Sequence, residues 1–239
     1  MAVGRLVALR HSAVSIVAPM TVGGEPGPDE RENLESIFLG EHGGDTGRMV
    51  LGDHGELAKS DLRVAAYTEA DAANASIGMA MAAAPLPREL ASMLLSVQND
   101  LLDLVTDLGV STVGDEPVAV RIVPAHVERL DRAIEHFTEG AGDLSGMVLP
   151  GGTLGAALLY QARSAVRRAE LAVWRAVEAY PGAVNREAGR YLNHLSTLLF
   201  VAARGANTEL GDVVWVPGSS VAAVGQAADD APAESDDVR

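Results

Sequence analysis

The chain has 239 residues, 48% of them hydrophobic, which suits one buried core better than two. Its 33 acidic and 18 basic side chains give a formal charge of −15, which excludes a nucleic-acid partner because little here would neutralise a phosphate backbone. There is no cysteine, so disulfides and thiolate metal sites are excluded and secretion gains no support.

Taken in chain order, residues 5–20 are largely apolar, but Arg10 and His11 interrupt them. Neither a signal peptide nor a membrane span is expected, and a cytoplasmic protein is. Residues 1–36 read as a loosely ordered extension, with a short strand around 14–17 and a breaker-rich linker from Gly23 to Asp29. Residues 40–58 carry six glycines and no helical period, so a loop is expected.

From Thr68 onward the pattern is helical. The first helix is expected over 68–83, stopped by Pro85-Leu86-Pro87. The second, over 87–109, has a wide apolar stripe including Leu90, Leu94, Val97, Leu101, Leu104 and Leu108, and closes at Gly109. A connection follows over 110–123, extended near its end, and Pro124 opens a third helix over 124–140. The fourth and fifth are expected over 152–179 and 185–207, divided by Pro181-Gly182. Five antiparallel helices with short loops predict an all-α bundle spanning 37–218. Asp229, Asp230, Glu234, Asp236 and Asp237 make 219–239 an acidic, solvating tail.

The charge-bearing stretch lies on the fourth helix. Arg163 and Arg167 are four apart and share a face, Arg168 sits about 100° away, and Glu170 returns to the same side. One reading is a solvated basic face with an internal Glu–Arg pair. The other is a cationic clamp for phosphates, since Arg offers planar bidentate donors. The six histidines are scattered, and no pair has metal-ligand spacing, so no metal site is expected from them.

The blocks Leu149-Pro150-Gly151-Gly152-Thr153, Arg163-x3-Arg167-Arg168-x-Glu170 and Tyr191-Leu192-Asn193-x-Leu195-Ser196 resemble the PduO-type ATP:cob(I)alamin adenosyltransferases. The likeness runs back through Ser60-Asp61-Leu62-Arg63 and forward to Asp212-Val213-Val214-Trp215-Val216-Pro217, roughly residues 37 to 218. The resemblance implies a homotrimer with active sites between subunits. It implies transfer of the 5′-deoxyadenosyl group of ATP to cob(I)alamin with release of triphosphate, using ATP, Mg2+ and cobalamin. It also implies hand-over of the product to a cobalamin-dependent enzyme.

Residue by residue, Gly44, Asp45 and Gly47 match the family's Gly-Asp-x-Gly phosphate loop, with His42 where a Lys or Arg is usual. Arg48 and Met49 replace a hydroxyl-bearing run, and Arg48 is expected to restore positive charge. Lys59 falls where the family has a lysine facing the phosphates. Without the resemblance, the same glycines read as an ordinary mobile loop.

Asp71 and Asn74 match the next block, with Ala72 in place of its glutamate. The resemblance implies that Asp71 pairs with Arg163 across a subunit interface; otherwise Asp71 is a solvent-facing carboxylate near a helix N-terminus. Arg167 and Arg168 would stabilise the departing triphosphate, and Glu170 would hold the arginines or a metal-bound water. Leu171 stands where the family has an arginine, and Tyr160 where it has a histidine. Asn193 is expected at the nucleotide, with Thr197 in place of an aspartate. Met147 occupies the place of a phenylalanine that excludes the lower axial ligand of cobalamin. Two functions stay open: the adenosyltransferase, or a relative that kept the fold and the arginines but acts as a corrinoid or nucleotide binder, a regulator, or an enzyme for another small molecule.

Overall fold

The structure is a computed structural model that describes residues 43–112 and 120–221. The expected N-terminal extension with its strand, His42 and the acidic residues beyond 221 lie outside the described residues. The chain divides into two compact units, 1–45 and 46–239. The first contributes only Gly43, Gly44 and Asp45 to the described residues, the start of one 3-10 turn, Gly43–Thr46.

In the second unit, β1 (Arg48–Val50) and β2 (Glu56–Ala58) form an antiparallel hairpin, with Arg48 opposite Ala58 and Val50 opposite Glu56. Five helices follow: α1 (Leu62–Ala83), α2 (Arg88–Leu108), α3 (Pro124–Thr138), α4 (Leu154–Ala179) and α5 (Arg186–Ala206). α4 is the central member, packed on α1 and on α5; α1 also carries α2, and α5 also carries α3.

α1 and α4 pack on each other, and each buries a row of small residues. Ala66, Ala70, Ala73 and Ala80 on α1 are fully buried, as are Ala162, Ala165, Ala169 and Ala176 on α4. Their spacings of three, four and seven residues keep each set on one face. Alanine also lets two backbones approach closely, so dispersion contacts replace the bulk of larger side chains. Away from the seam the core is filled by Leu94, Leu101, Leu104, Leu192, Leu195, Leu198 and Leu199, with Tyr191 buried among them.

The hairpin corrects the expected loop over 40–58. It is invisible to period counting because it is held by docking rather than by alternation. Gly52 has φ +50, and a Cβ on it would lie 1.9 Å from the Gly109 carbonyl oxygen at the end of α2. That close approach lets the Asp53 N–H donate to Gly109 O at 3.1 Å. The Asp53 carboxylate in turn accepts from the Ser111 N–H at 2.7 Å.

The start of α4 is fixed by α5 and its exit. The Thr153 hydroxyl accepts from the Ala156 N–H at 3.1 Å and caps the helix. Asn207, 2% exposed, accepts from the Thr153 N–H and donates to Gly151 O and Asp212 Oδ1, each at 2.9 Å. Arg204 holds the same Asp212 from its other oxygen at 2.6 Å. Gly152 has φ +100, and a Cβ there would lie 2.3 Å from the Asn207 amide oxygen. Gly152→Ala is therefore expected to destabilise the fold by about 1–3 kcal/mol in chemical denaturation. Gly151→Ala, where nothing lies within 4 Å and φ is not positive, should cost far less.

Candidate active site

The Ser60-Asp61-Leu62-Arg63 block turns out to close one end of the bundle. α1 begins at Leu62, not near Thr68, because Asp61 is its N-cap and accepts from the Arg63 N–H at 2.9 Å. An aspartate immediately before an apolar helical run is a sequence signal for a helix start, and it went unread here. The same carboxylate accepts from Arg63 Nε at 3.0 Å and Nη2 at 2.9 Å, and from the Tyr180 hydroxyl at 3.1 Å. The Arg63 guanidinium also lies 4.1 Å over the Tyr180 ring. The Arg63 hydrogen bond, helped by its backbone N–H and by Tyr180 and opposed by burial, holds the Asp61 carboxyl down at about 2.

Gly47, Arg48 and Lys59 gather at this end. The Lys59 N–H donates to Gly47 O at 2.8 Å, and the Lys59 side chain is exposed with no ion pair among the described residues. Arg48 is not a free cation: its Nε donates to Glu56 Oε2 at 2.8 Å across the hairpin. Gly44 and Asp45 belong to the other unit, where Gly44 is half-buried and Asp45 exposed.

The arginines of α4 stand at a different level. Asp61 meets Tyr180 while Glu69 meets Arg168, so α1 and α4 run antiparallel. The two contacts are 12 residues apart on α4 and 8 apart on α1, which sets the two levels about 12 to 18 Å apart at the rise of an α-helix. Within one chain, Lys59 and Gly47 therefore stand at a different level from Arg167 and Arg168.

Arg167 and Arg168 are exposed, and Arg168 Nε contacts Glu69 Oε2 at 3.3 Å. The alternative of an internal Glu–Arg pair is not what forms: Glu170 is half-buried and makes no ion pair among the described residues. Arg163 is packed with its guanidinium carbon 5.3 Å from the Phe200 ring centre, and its Nε is sealed without a hydrogen-bond partner. Burial, and then the charge of Arg167, lower the proton affinity of Arg163. Asp71 is exposed and pairs with no cation of its own chain among the described residues.

Because Arg163 faces Phe200 on the antiparallel α5, Arg167 and Glu170 come level with Ser196 and Asn193. Asn193 is exposed, and its side chain makes no hydrogen bond among the described residues; Thr197, one turn on, is also exposed. Glu69 and Phe200, which sequence reasoning did not single out, are the residues that fix Arg168 and Arg163. Neither carries a local signal, because each acts from a neighbouring helix.

Met147 lies beside an apolar surface. Val148 bridges Val214, and the Trp215 N–H donates to Met147 O at 2.9 Å, so the exit of α5 pairs with the approach to α4. Met147, Leu149, Val213, Val214 and Trp215 are all exposed on this short ribbon. A contiguous exposed apolar patch of this kind marks a surface that something covers.

The sequence pattern described as Cobalamin adenosyltransferase matches residues 40–206. The chain belongs to that family. A corrinoid adenosyltransferase of Mycobacterium leprae is 41% identical over 179 residues, covering 73% of this chain and 93% of the relative. A corrinoid adenosyltransferase of Bacillus subtilis is 35% identical over 177 residues, covering 72% and 89%. The fold is also similar to that of a variant PduO-type ATP:corrinoid adenosyltransferase from Lactobacillus reuteri, solved with cobalamin and ATP. That likeness has a TM-score of 0.64 at 29% identity and covers 72% of this chain and 96% of the other. No helix among the described residues is long and apolar enough to cross a membrane.

The Asp61 carboxyl links this end of the site to acid stability. Its folded pKa of about 2 lies below the reference 3.8, so the unfolded chain binds more protons in that interval. Its stabilising contribution should be complete above about pH 4 and fade as pH falls towards 2. Melting temperature followed between pH 5 and 2 should show this slope in the wild type. The slope should be flatter in Asp61→Asn; identical slopes would contradict the assignment.

Proposed function

We propose that this chain is an ATP-dependent corrinoid adenosyltransferase, transferring the 5′-deoxyadenosyl group of ATP to cob(I)alamin and releasing triphosphate. The observation that carries the reading is the α4 face of an established family member: Arg163, Arg167 and Arg168 lie together, and among the described residues Glu69 is the one carboxylate that pairs with them. In the reaction the cobalt electron pair forms a bond to C5′ of ATP, the C5′–O bond breaks, and its electrons leave with the triphosphate. Such a displacement needs little proton transfer and much stabilisation of departing charge.

Arg167, which pairs with no carboxylate among the described residues, offers its full fork to that charge. Arg168 adds a second cation whose direction Glu69 sets, and Glu170 and Asn193 border the same level. Magnesium bound with the nucleotide would supply further neutralisation there. Gly47, Arg48 and Lys59 would form the other half of the nucleotide site. Lys59 and Arg168 stand at different levels of one bundle, and the two halves would close on one nucleotide between neighbouring subunits. A homotrimer in which Asp71 meets the neighbour's Arg163 supplies that arrangement. Desolvated Arg163, with its proton affinity already lowered, gains most from such a carboxylate. The ribbon of Met147, Val214 and Trp215 is the apolar surface offered to the corrin. The product is suited to hand-over to a cobalamin-dependent enzyme in the cytoplasm.

Replacing Arg167 by Ala should lower adenosylation by on the order of 10- to 1000-fold while leaving the fold intact. The measurement is ATP binding and corrinoid adenosylation under reducing conditions, wild type and variant side by side. Unchanged turnover in the variant would contradict the clamp. ATP binding without turnover in the wild type would favour a binder that has lost the reaction.

A further inference from the structure

We propose that Asp100, Asp103 and His126 form a divalent-cation site between α2 and α3, apart from the arginine face. One carboxylate oxygen from each aspartate and a ring nitrogen of His126 all lie within 4.8 Å of one another. A single cation at their centre therefore reaches all three.

The details of each ligand support a cation rather than an accidental cluster. Asp100 is 7% exposed, yet both of its donors, the Tyr191 hydroxyl at 2.7 Å and Arg129, bond the same oxygen, Oδ2. Its Oδ1 receives no hydrogen bond among the described residues. A carboxylate oriented through one oxygen with the other left open is the arrangement of a supported monodentate ligand. Asp103, half-buried one helical turn further along α2, has neither a hydrogen bond nor an ion pair among the described residues, so its charge is unmet. Arg129 offsets one of the two carboxylates and leaves the other.

His126 completes the set from the first turn of α3. The Val123 N–H donates to its Nδ1 at 3.1 Å. Nδ1 also lies 3.3 Å from the Val123 carbonyl oxygen, to which it would donate once a cation at Nε2 displaces the ring proton. That backbone contact orients the ring and leaves Nε2 as the nitrogen for a cation. Binding would select the tautomer in which Nδ1–H donates to Val123 O, the usual support of a metal-bound imidazole.

One imidazole with two carboxylates favours a borderline first-row ion such as Zn2+, Co2+ or Mn2+ over Mg2+, with water in the remaining positions. α3 packs chiefly on α5, so the ion would tie the first turn of α3 directly to α2. Histidine spacing along the sequence could not show this, because the partners of His126 come from another helix.

The test uses the full chain and Zn2+ alone, titrated calorimetrically in buffer free of magnesium and nucleotide. One Zn2+ per chain should bind with a dissociation constant on the order of micromolar. His126→Ala and Asp103→Asn should each weaken that site by about tenfold or more, and His194→Ala should not. Co2+ should give a visible absorption band in the wild type that His126→Ala loses. Adenosylation with magnesium and ATP should survive His126→Ala, which keeps this site distinct from the reaction. Zn2+ binding no tighter than millimolar, or equal binding in wild type, His126→Ala and Asp103→Asn, would overturn the proposal.

Discussion

How closely α1 and α4 approach governs the rest of the molecule. Ala66, Ala70, Ala73 and Ala80 on α1 and Ala162, Ala165, Ala169 and Ala176 on α4 are buried with no exposed surface, so a longer side chain at these positions would have to displace packed neighbours. Close-packed interiors do not absorb extra volume without shifting backbone. Charged residues of the two helices are therefore displaced to the flanks, where Glu69 reaches Arg168 across the seam and Asp61 reaches Tyr180 at its end. The seam sets the register of both contacts, and with it the positions of the cations.

The register has a functional consequence. It puts the hairpin with Lys59 at the Tyr180 level and the arginines of α4 at another, about 12 to 18 Å along the bundle. It also leaves Arg163 half-desolvated against Phe200, and a guanidinium in that state lacks the water that would satisfy it. The remaining ends of the bundle are closed by polar clasps: Asp61 with Arg63 and Tyr180 at one, Asn207 with Arg204 and Asp212 at the other. Each binds a turn that the helices alone would leave open.

The five helices were legible because their apolar stripes recur with helical period and their ends carry Pro85, Pro87, Pro124, Thr153 and Pro181-Gly182. Four of the five fall within about two residues of their expected limits. α1 begins earlier than its apolar period suggested, since the cap at Asp61 rather than the stripe decides its start. The hairpin was hidden because Gly52 is selected by contact with Gly109, a residue far along the chain. At the candidate site, the grouping of Arg163, Arg167 and Arg168 followed from spacing on one helix. Glu69, Phe200 and the Glu56 partner of Arg48 did not, because each comes from a separate element. Any pairing across subunits, such as Asp71 with Arg163, lies beyond what the order of residues in one chain encodes.

The most direct measurement is complementation between two inactive variants, Lys59→Ala and Arg167→Ala, unfolded together and refolded as mixed trimers. A site shared between subunits regains a wild-type pair wherever the intact Lys59 half of one subunit meets the intact Arg167 half of the next, about one site in four at equal mixing. Adenosylation should then return to roughly that fraction of the wild-type rate, while each variant refolded alone stays inactive. If both halves belonged to a single chain, every subunit would carry one defect. The mixture would then be as inactive as its parts, which would contradict the shared site.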